Sequence, residues 1–78
     1  MNEREEREII RRSRRHEAAE RSALRRWLRQ RGQCPEMGDT PSHTERLMKA
    51  VIALGGDAGL IMAKARIEVD ERDAEAWR

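Results

Sequence analysis

The sequence predicts an all-α fold in which a long N-terminal amphipathic helix is followed by a compact helical hairpin, with three to four helices in total. The apolar residues recur at the three- and four-residue spacing of helices. Both prolines and four of the five glycines lie in residues 32–41 and 55–56, where they would end helices. We therefore expect one domain over residues 1–78, divided into a helix (3–31), a loop (32–42) and a hairpin (43–78).

The first helix concentrates the positive charge of the chain. Residues 1–31 contain eleven arginines and six glutamates, a net charge of +5, whereas residues 32–56 and 57–78 have net charges of −1 and −2. On a helical wheel, ten of the eleven arginines fall within one half-circle and only Arg31 lies outside it. The opposite half includes apolar residues that we expect in the core or in a dimer interface: Ile9, Ile10, Leu24, Trp27 and Leu28.

Gly32 suits the end of the first helix, and the segment after it is predicted to be a loop. Two starts compete for the second helix. Ser42 with Glu45 has capping-box spacing, and Thr40 followed by Pro41 offers a start slightly earlier. The loop is long enough for the second helix to fold back antiparallel to the first.

The second helix contains the most apolar segment of the chain, so Leu47 and Val51 are expected at the centre of the core. Asp57 can cap a third helix. Residues 57–78 could form one helix or two, and we favour a break near residue 68, where acidic residues accumulate and the apolar spacing shifts. Trp77 is expected to anchor the core or an interface.

Residues 44–67 combine a helix, a Gly55–Gly56 turn and an alanine-containing helix. This pattern resembles the opening of Fis-type and small phage repressor-type DNA-binding domains, which implies a helix-turn-helix unit. The sequence departs from that pattern in residues 70–78, the place of the recognition helix, because this segment is acidic and phosphates would repel it. We interpret the hairpin as structural and its acidic end as a possible cover for arginines of the same chain or of a dimer mate.

The sequence favours neither catalysis nor metal binding. Cys34, His16 and His43 are too few and too widely spaced for a structural zinc site, and the carboxylates form no recognisable catalytic pattern. We expect no enzyme activity and no cofactor. A membrane span needs an apolar run that the sequence lacks, and Glu17 and Glu20 interrupt the apolar face that membrane-surface binding would need. The expected location is cytoplasmic.

The composition favours a homodimer. Only 37% of the 78 residues are hydrophobic and 41% are charged. A chain of this length buries only about 60–65% of its unfolded surface, so its stability as a monomer is marginal. Burying a helix face against a second copy would enlarge the core.

The segregated arginines suggest an anionic partner, because a guanidinium group binds phosphate through two parallel hydrogen bonds. We expect a small regulatory or architectural protein that contacts the phosphates of duplex nucleic acid. The alternative is a small inhibitor or adaptor, of the kind found in mobile elements, that binds an acidic surface of a host protein. The same arginines would serve either partner: Arg11, Arg14, Arg15, Arg21, Arg25, Arg26 and Arg29.

Overall fold

The computed structural model describes residues 2–76, which form an all-helical fold. Three helices follow one another along the chain: α1 (Glu3–Arg29), α2 (Pro41–Ala53) and α3 (Ala58–Ala76). At a rise of about 1.5 Å per residue, the 27 residues of α1 span about 40 Å and set the longest dimension of the molecule, 43 Å. None of the described helices is both long and apolar enough to cross a membrane.

Helix α1 is the element on which both other helices pack. The contacts of α1 with α2 and with α3 are extensive, whereas α2 and α3 barely touch each other. Helix α3 runs antiparallel to α1, because Ile61 lies beside Trp27 and Asp70 lies beside Arg12. The C-terminal half of α1 is therefore enclosed on two sides, and residues 2–11 project as an exposed N-terminal arm.

Capping interactions fix both ends of α1. The side chain of Asn2 accepts a hydrogen bond from the backbone N–H of Glu5 (2.9 Å), which satisfies one of the free donors of the first turn. The helix therefore begins at Glu3, directly after its cap. At the other end the helix stops at Arg29, and Gly32 takes the left-handed conformation (φ 79°) that an L side chain rarely adopts.

The loop between α1 and α2 runs back along α1, toward its N-terminus, before α2 begins. Successive loop residues contact α1 residues progressively closer to its N-terminus: Gln33 contacts Leu28, Glu36 contacts Arg25, and Asp39 lies near Arg21. Helix α2 begins at Pro41, and the hydroxyl of Thr44 in its first turn accepts a hydrogen bond from Arg21.

Helix α2 starts at the earlier of the two sites that the sequence offered. Thr40 is the N-cap and Pro41 occupies the first helical position, so the Ser42–Glu45 capping box is wrong. Proline suits this position because its missing N–H would have no partner in the helix. The Thr40 hydroxyl bonds to the side chains of Ser42 and His43 instead of capping the backbone.

The core is small and lies around the C-terminal half of α1. Its buried residues come from all three helices: Leu24, Leu28, Leu47, Val51 and Ala58. Trp27, Met48, Ile61 and Met62 pack around them and are partly exposed. The four predicted aliphatic core positions on α1 and α2 are confirmed. Ile9 and Ile10 are 54% and 51% exposed and add nothing to this core, and Trp77 lies outside the described residues.

Helix α3 is continuous from Ala58 to Ala76, so the break that we expected near residue 68 is wrong. The acidic residues do not interrupt the helix, since Asp70 and Asp73 are paired with arginines of α1. No separate recognition helix follows the turn within residues 58–76, so the described chain does not complete the helix-turn-helix unit that the resemblance implied. The helix packs through its buried residues Ala58 and Ala65, while Leu60 and Ile67 are exposed.

Replacing Leu24 with alanine tests this assignment of the core. Leu24 is fully buried, and Leu24→Ala should lower the free energy of unfolding by about 2–5 kcal/mol, enough to leave so small a domain largely unfolded. The matched control is Leu54→Ala, since Leu54 is 47% exposed and its truncation should cost at most about 1 kcal/mol. Urea unfolding followed by circular dichroism measures both. Equal losses would contradict the assignment.

Candidate anion-binding surface

The arginines of α1 do not form one uniform exposed face. Most are exposed, but Arg21 and Arg25 are only 6% and 7% exposed. The exposed arginines that share the solvent-facing side of the helix are called the arginine strip: Arg4, Arg7, Arg11, Arg14, Arg15, Arg26 and Arg29. On a helical wheel these seven lie within about 120°. The surface predicted from the sequence is therefore present, but with a different membership.

The arginine strip follows nearly the whole length of α1. Arg4 and Arg29 are separated by about 38 Å along the helix axis. The gap between Arg15 and Arg26 on this side contains Ala18 and Ser22, whose small exposed side chains would let a flat or rod-shaped partner approach the backbone. The strip is thus two clusters of guanidinium groups joined by a narrow, uncharged segment.

The N-terminal cluster borders an open groove. Its lining is mainly basic with an apolar contribution: Arg7, Ile10, Arg11, Arg14, Arg15 and Ala18. Within the described residues, no carboxylate forms a salt bridge with Arg7, Arg11 or Arg14. These guanidinium groups can therefore turn toward an external anion without breaking an ion pair in the described part of the chain.

The site predicted from the sequence does not include Arg4 and Arg7, because the excess of positive charge is concentrated in residues 11–31. Their position on the wheel, in line with Arg11, was the signal that could have included them.

The acidic end of α3 covers part of the basic face. Arg12 pairs with Asp70 at 3.1 Å and Arg15 pairs with Asp73 at 2.8 Å. This confirms the interpretation that the C-terminal acidic segment lies on the arginines of its own chain. Both arginines remain at least half exposed, so these pairs are accessible to salt and to competing anions.

His16 joins this contact from the partly buried side. Its Nε2 lies 2.8 Å from the Asp70 carboxylate, which also faces Arg12. The hydrogen bond from His16, together with the interaction with Arg12, lowers the pKa of Asp70 below its ordinary value despite a smaller opposing effect of desolvation. Asp70 is thus held ionised, and its contact with Arg12 is an ion pair.

The prediction that Arg21 and Arg25 belong to the binding site is wrong. We expected them to contact an anionic partner, but the loop over residues 36–39 and the start of α2 cover both. Their position on the wheel matches that of the exposed arginines, yet in the folded chain that side of α1 meets the loop. They cannot reach an external phosphate unless the loop moves.

Arg25 fixes the loop in place. Its Nε donates to the carbonyl oxygen of Glu36 (2.8 Å), and its terminal nitrogen donates to the carbonyl oxygen of Gly38. A loop that turns sharply leaves backbone carbonyls without secondary-structure partners, and the guanidinium group satisfies two of them at once. A Cβ at Gly38 would overlap the ring of His43, so a larger residue there would require this ring to move.

Arg21 is less well satisfied. It donates one hydrogen bond to the Thr44 hydroxyl (3.1 Å), while its buried Nε lacks a partner among the described residues. The carboxylate of Asp39 is 3.8 Å from this Nε and 4.0 Å from a terminal nitrogen of Arg25, and Asp39 itself is largely exposed. One solvated carboxylate therefore faces two buried positive charges.

Other charged residues of α1 and of the segment directly after it also have structural partners in the same chain. Glu20 is buried and pairs with Arg66 at 3.4 Å. The guanidinium group of Arg31 lies 3.5 Å from the ring centre of Trp27. The one arginine of residues 1–31 outside the basic half-circle therefore makes a cation–π contact within the chain.

No family model, curated protein or solved structure matches this chain. Within residues 2–76 no three His, Cys, Asp or Glu side chains come together in a way that could hold a metal ion, and Cys34 is an exposed thiol. The chemistry on the surface is therefore that of charge and hydrogen-bond donors, concentrated along the arginine strip.

Replacing Arg25 tests its structural role. Arg25→Ala leaves two loop carbonyls unpaired, and we expect the free energy of unfolding to fall by about 2–3 kcal/mol. The matched control is Arg26→Ala, because the neighbouring Arg26 is exposed and its loss should change stability by no more than about 0.5 kcal/mol. Urea titrations at neutral pH compare the two. An Arg25→Ala protein as stable as Arg26→Ala would refute the proposed role in fixing the loop.

The Asp70 contact predicts a dependence of stability on acid. Because the folded-state pKa of Asp70 lies below its unfolded value, its ion pairs stabilise the fold above the ordinary carboxyl range, and this contribution disappears as the pH falls below about 4. Asp70→Asn should be less stable than the wild type near neutral pH, and the difference should shrink toward acid. Unfolding free energies measured from about pH 5.5 to 2.5 test this. A difference that stays constant would contradict it.

Proposed function

We propose that this protein is a small nucleic-acid-binding regulator or architectural factor that contacts the phosphates of duplex nucleic acid through the arginine strip. We further propose that it acts in the cytoplasm as a homodimer and without enzyme activity. The observation that supports this function best is the strip itself: seven exposed arginines within about 120° of one helix, most of them without an ion pair to the described residues.

The dimensions of the strip suit a duplex. Its length of about 38 Å is close to one turn of B-DNA, about 34–36 Å. A straight helix laid against a groove or backbone can place guanidinium groups near several phosphates in succession. Ala18 and Ser22, between the two clusters, allow close approach where the duplex surface curves toward α1.

Recognition in this proposal depends on charge more than on base sequence. The strip consists of arginines with small residues between them, and in the described chain Trp27, the aromatic residue of α1, is occupied by Arg31. Phosphate contacts position a protein on a duplex but carry little sequence information. Asp70 and Asp73 compete with phosphates for Arg12 and Arg15, which should keep the affinity moderate.

The salt dependence of binding tests the proposal. If the five arginines that were predicted from the sequence and are exposed (Arg11, Arg14, Arg15, Arg26 and Arg29) engage five phosphates, a plot of log K against log salt concentration should have a slope of about −4.5. The double variant Arg11→Ala/Arg14→Ala removes two of these contacts. Its slope should become shallower by about 2, and its affinity should fall, in fluorescence-anisotropy titrations with a labelled duplex.

The matched control is Arg46→Ala, which removes a guanidinium group of the same charge from an exposed position on α2, where it pairs with Glu36. This variant should keep the slope of the wild type. No duplex binding at about 50 mM salt, or equal loss of binding in the control and the double variant, would end the proposal.

A second candidate function follows from the N-terminal arm. Ile9 and Ile10 are both about half exposed beside the N-terminal arginines, and phosphate binding gives no reason for apolar residues there. An acidic protein surface with an apolar recess would contact both kinds of side chain. Ile10→Ser should weaken such a complex while leaving duplex affinity unchanged, so the two partners can be told apart with one variant.

A further inference from the structure

The outer face of α3 is an exposed apolar surface with no partner among the described residues. Seven large hydrophobic side chains of the described chain are exposed, and four of them lie on α2, directly after it, or on α3: Ile52, Leu54, Leu60 and Ile67. On a helical wheel, the side of α3 that faces away from α1 is centred on Leu60, Ala63, Ile67, Glu71 and Ala74. Lys64 lies at the edge of this side, beside a groove between α3 and α1. These six residues are called the α3 outer strip.

The spacing of the strip is that of a helix–helix seam. Leu60, Ile67 and Ala74 recur every seven residues, and Ala63 lies on the same side between the first two. A seven-residue apolar repeat on one face of a helix is the pattern by which two helices pack along each other. The face that α3 uses against α1 is a different one, since it contains Ala58, Ala65 and Asp70.

We propose that the α3 outer strip is a homodimer interface in which α3 packs antiparallel against α3 of a second copy. This rests on the homodimer of the proposed function and names its contact surface. A two-fold axis near Ile67 makes the strip complementary to itself, as a symmetric dimer requires. Ile67 meets Ile67 of the partner subunit, and Leu60 meets Ala74 of the partner subunit.

Charge complementarity selects the antiparallel arrangement. With the axis near Ile67, Lys64 faces Glu71 of the partner subunit, and the same pair forms again by symmetry. A parallel arrangement would instead place Lys64 against Lys64 and Glu71 against Glu71, which repel each other. Neither Lys64 nor Glu71 has a salt bridge to a described residue in its own chain, so both are available for these pairs.

The single chain exposes more surface than a compact monomer of its mass. A folded monomer of 9.1 kDa exposes about 4,900 Å² on average, whereas this chain exposes 6088 Å². The N-terminal arm contributes part of the excess of about 1,200 Å², and a standard interface buries about 800 Å² on each partner. Because the α3 outer strip faces away from α1, dimerisation through it leaves the arginine strips of both copies exposed.

Mass measurements test this interface without nucleic acid, so their outcome is independent of duplex binding. Sedimentation equilibrium of the full chain at about 100 µM should give twice the chain mass of 9.1 kDa. Ile67→Glu, which places two carboxylates at the two-fold axis, should weaken dimerisation on the order of 100-fold and give the single-chain mass. Ile67 is 56% exposed, so the helical circular dichroism signal should persist.

Three further variants distinguish this interface from an interface elsewhere on the chain. Ile10→Glu, which changes an equally exposed apolar residue of the N-terminal arm, should leave the dimer intact. Lys64→Glu should weaken the dimer, and Lys64→Glu/Glu71→Lys should restore it because the pair is only reversed. A wild type that stays monomeric, a dimer that survives Ile67→Glu, a dimer lost in Ile10→Glu, or a double variant that fails to recover would each overturn the interface.

Discussion

The packing around Leu24 and Leu28 on α1 is the contact on which the rest of the structure depends. Helices α2 and α3 barely touch each other, so each is held in place mainly by α1. This arrangement makes α1 both the support of the fold and, on its remaining side, the proposed binding surface. It also explains the small core, because two helices that pack on α1 but hardly on each other leave their outer faces uncovered. Among the described residues, the largest fully buried side chains are those two leucines and Val51.

The arginines of α1 divide according to what the rest of the chain places beside them. Arg21 and Arg25 meet the loop and become structural, because backbone carbonyls in an irregular segment need donors. Arg12 and Arg15 meet the acidic end of α3 and are partly neutralised. The remaining arginines face solvent. One residue type on one helix therefore performs three tasks, and the proposed function depends on the third group together with Arg15, which also belongs to the arginine strip.

Much of the fold follows from local sequence. Helical apolar spacing located Leu24 and Val51 in the core, and glycine and proline marked the ends of the helices. The wheel could not separate Arg25 from Arg26, since the difference lies in where two loop carbonyls point. The accumulation of acidic residues after Glu68 predicted a break in α3. That prediction was wrong because their partners, Arg12 and Arg15, lie more than fifty residues earlier in the chain, where local sequence does not reveal the pairing.

We propose that the exposed arginines, and not the buried ones, meet the anionic partner. Modification of arginines by a dicarbonyl reagent, mapped by mass spectrometry with and without a duplex, distinguishes the two groups. We expect Arg11, Arg14 and Arg26 to react freely and to become protected by the duplex, while Arg21 and Arg25 stay unreactive in both samples. Rapid modification of Arg21 and Arg25 in the free protein, or no protection of Arg11 and Arg14 by the duplex, would contradict it.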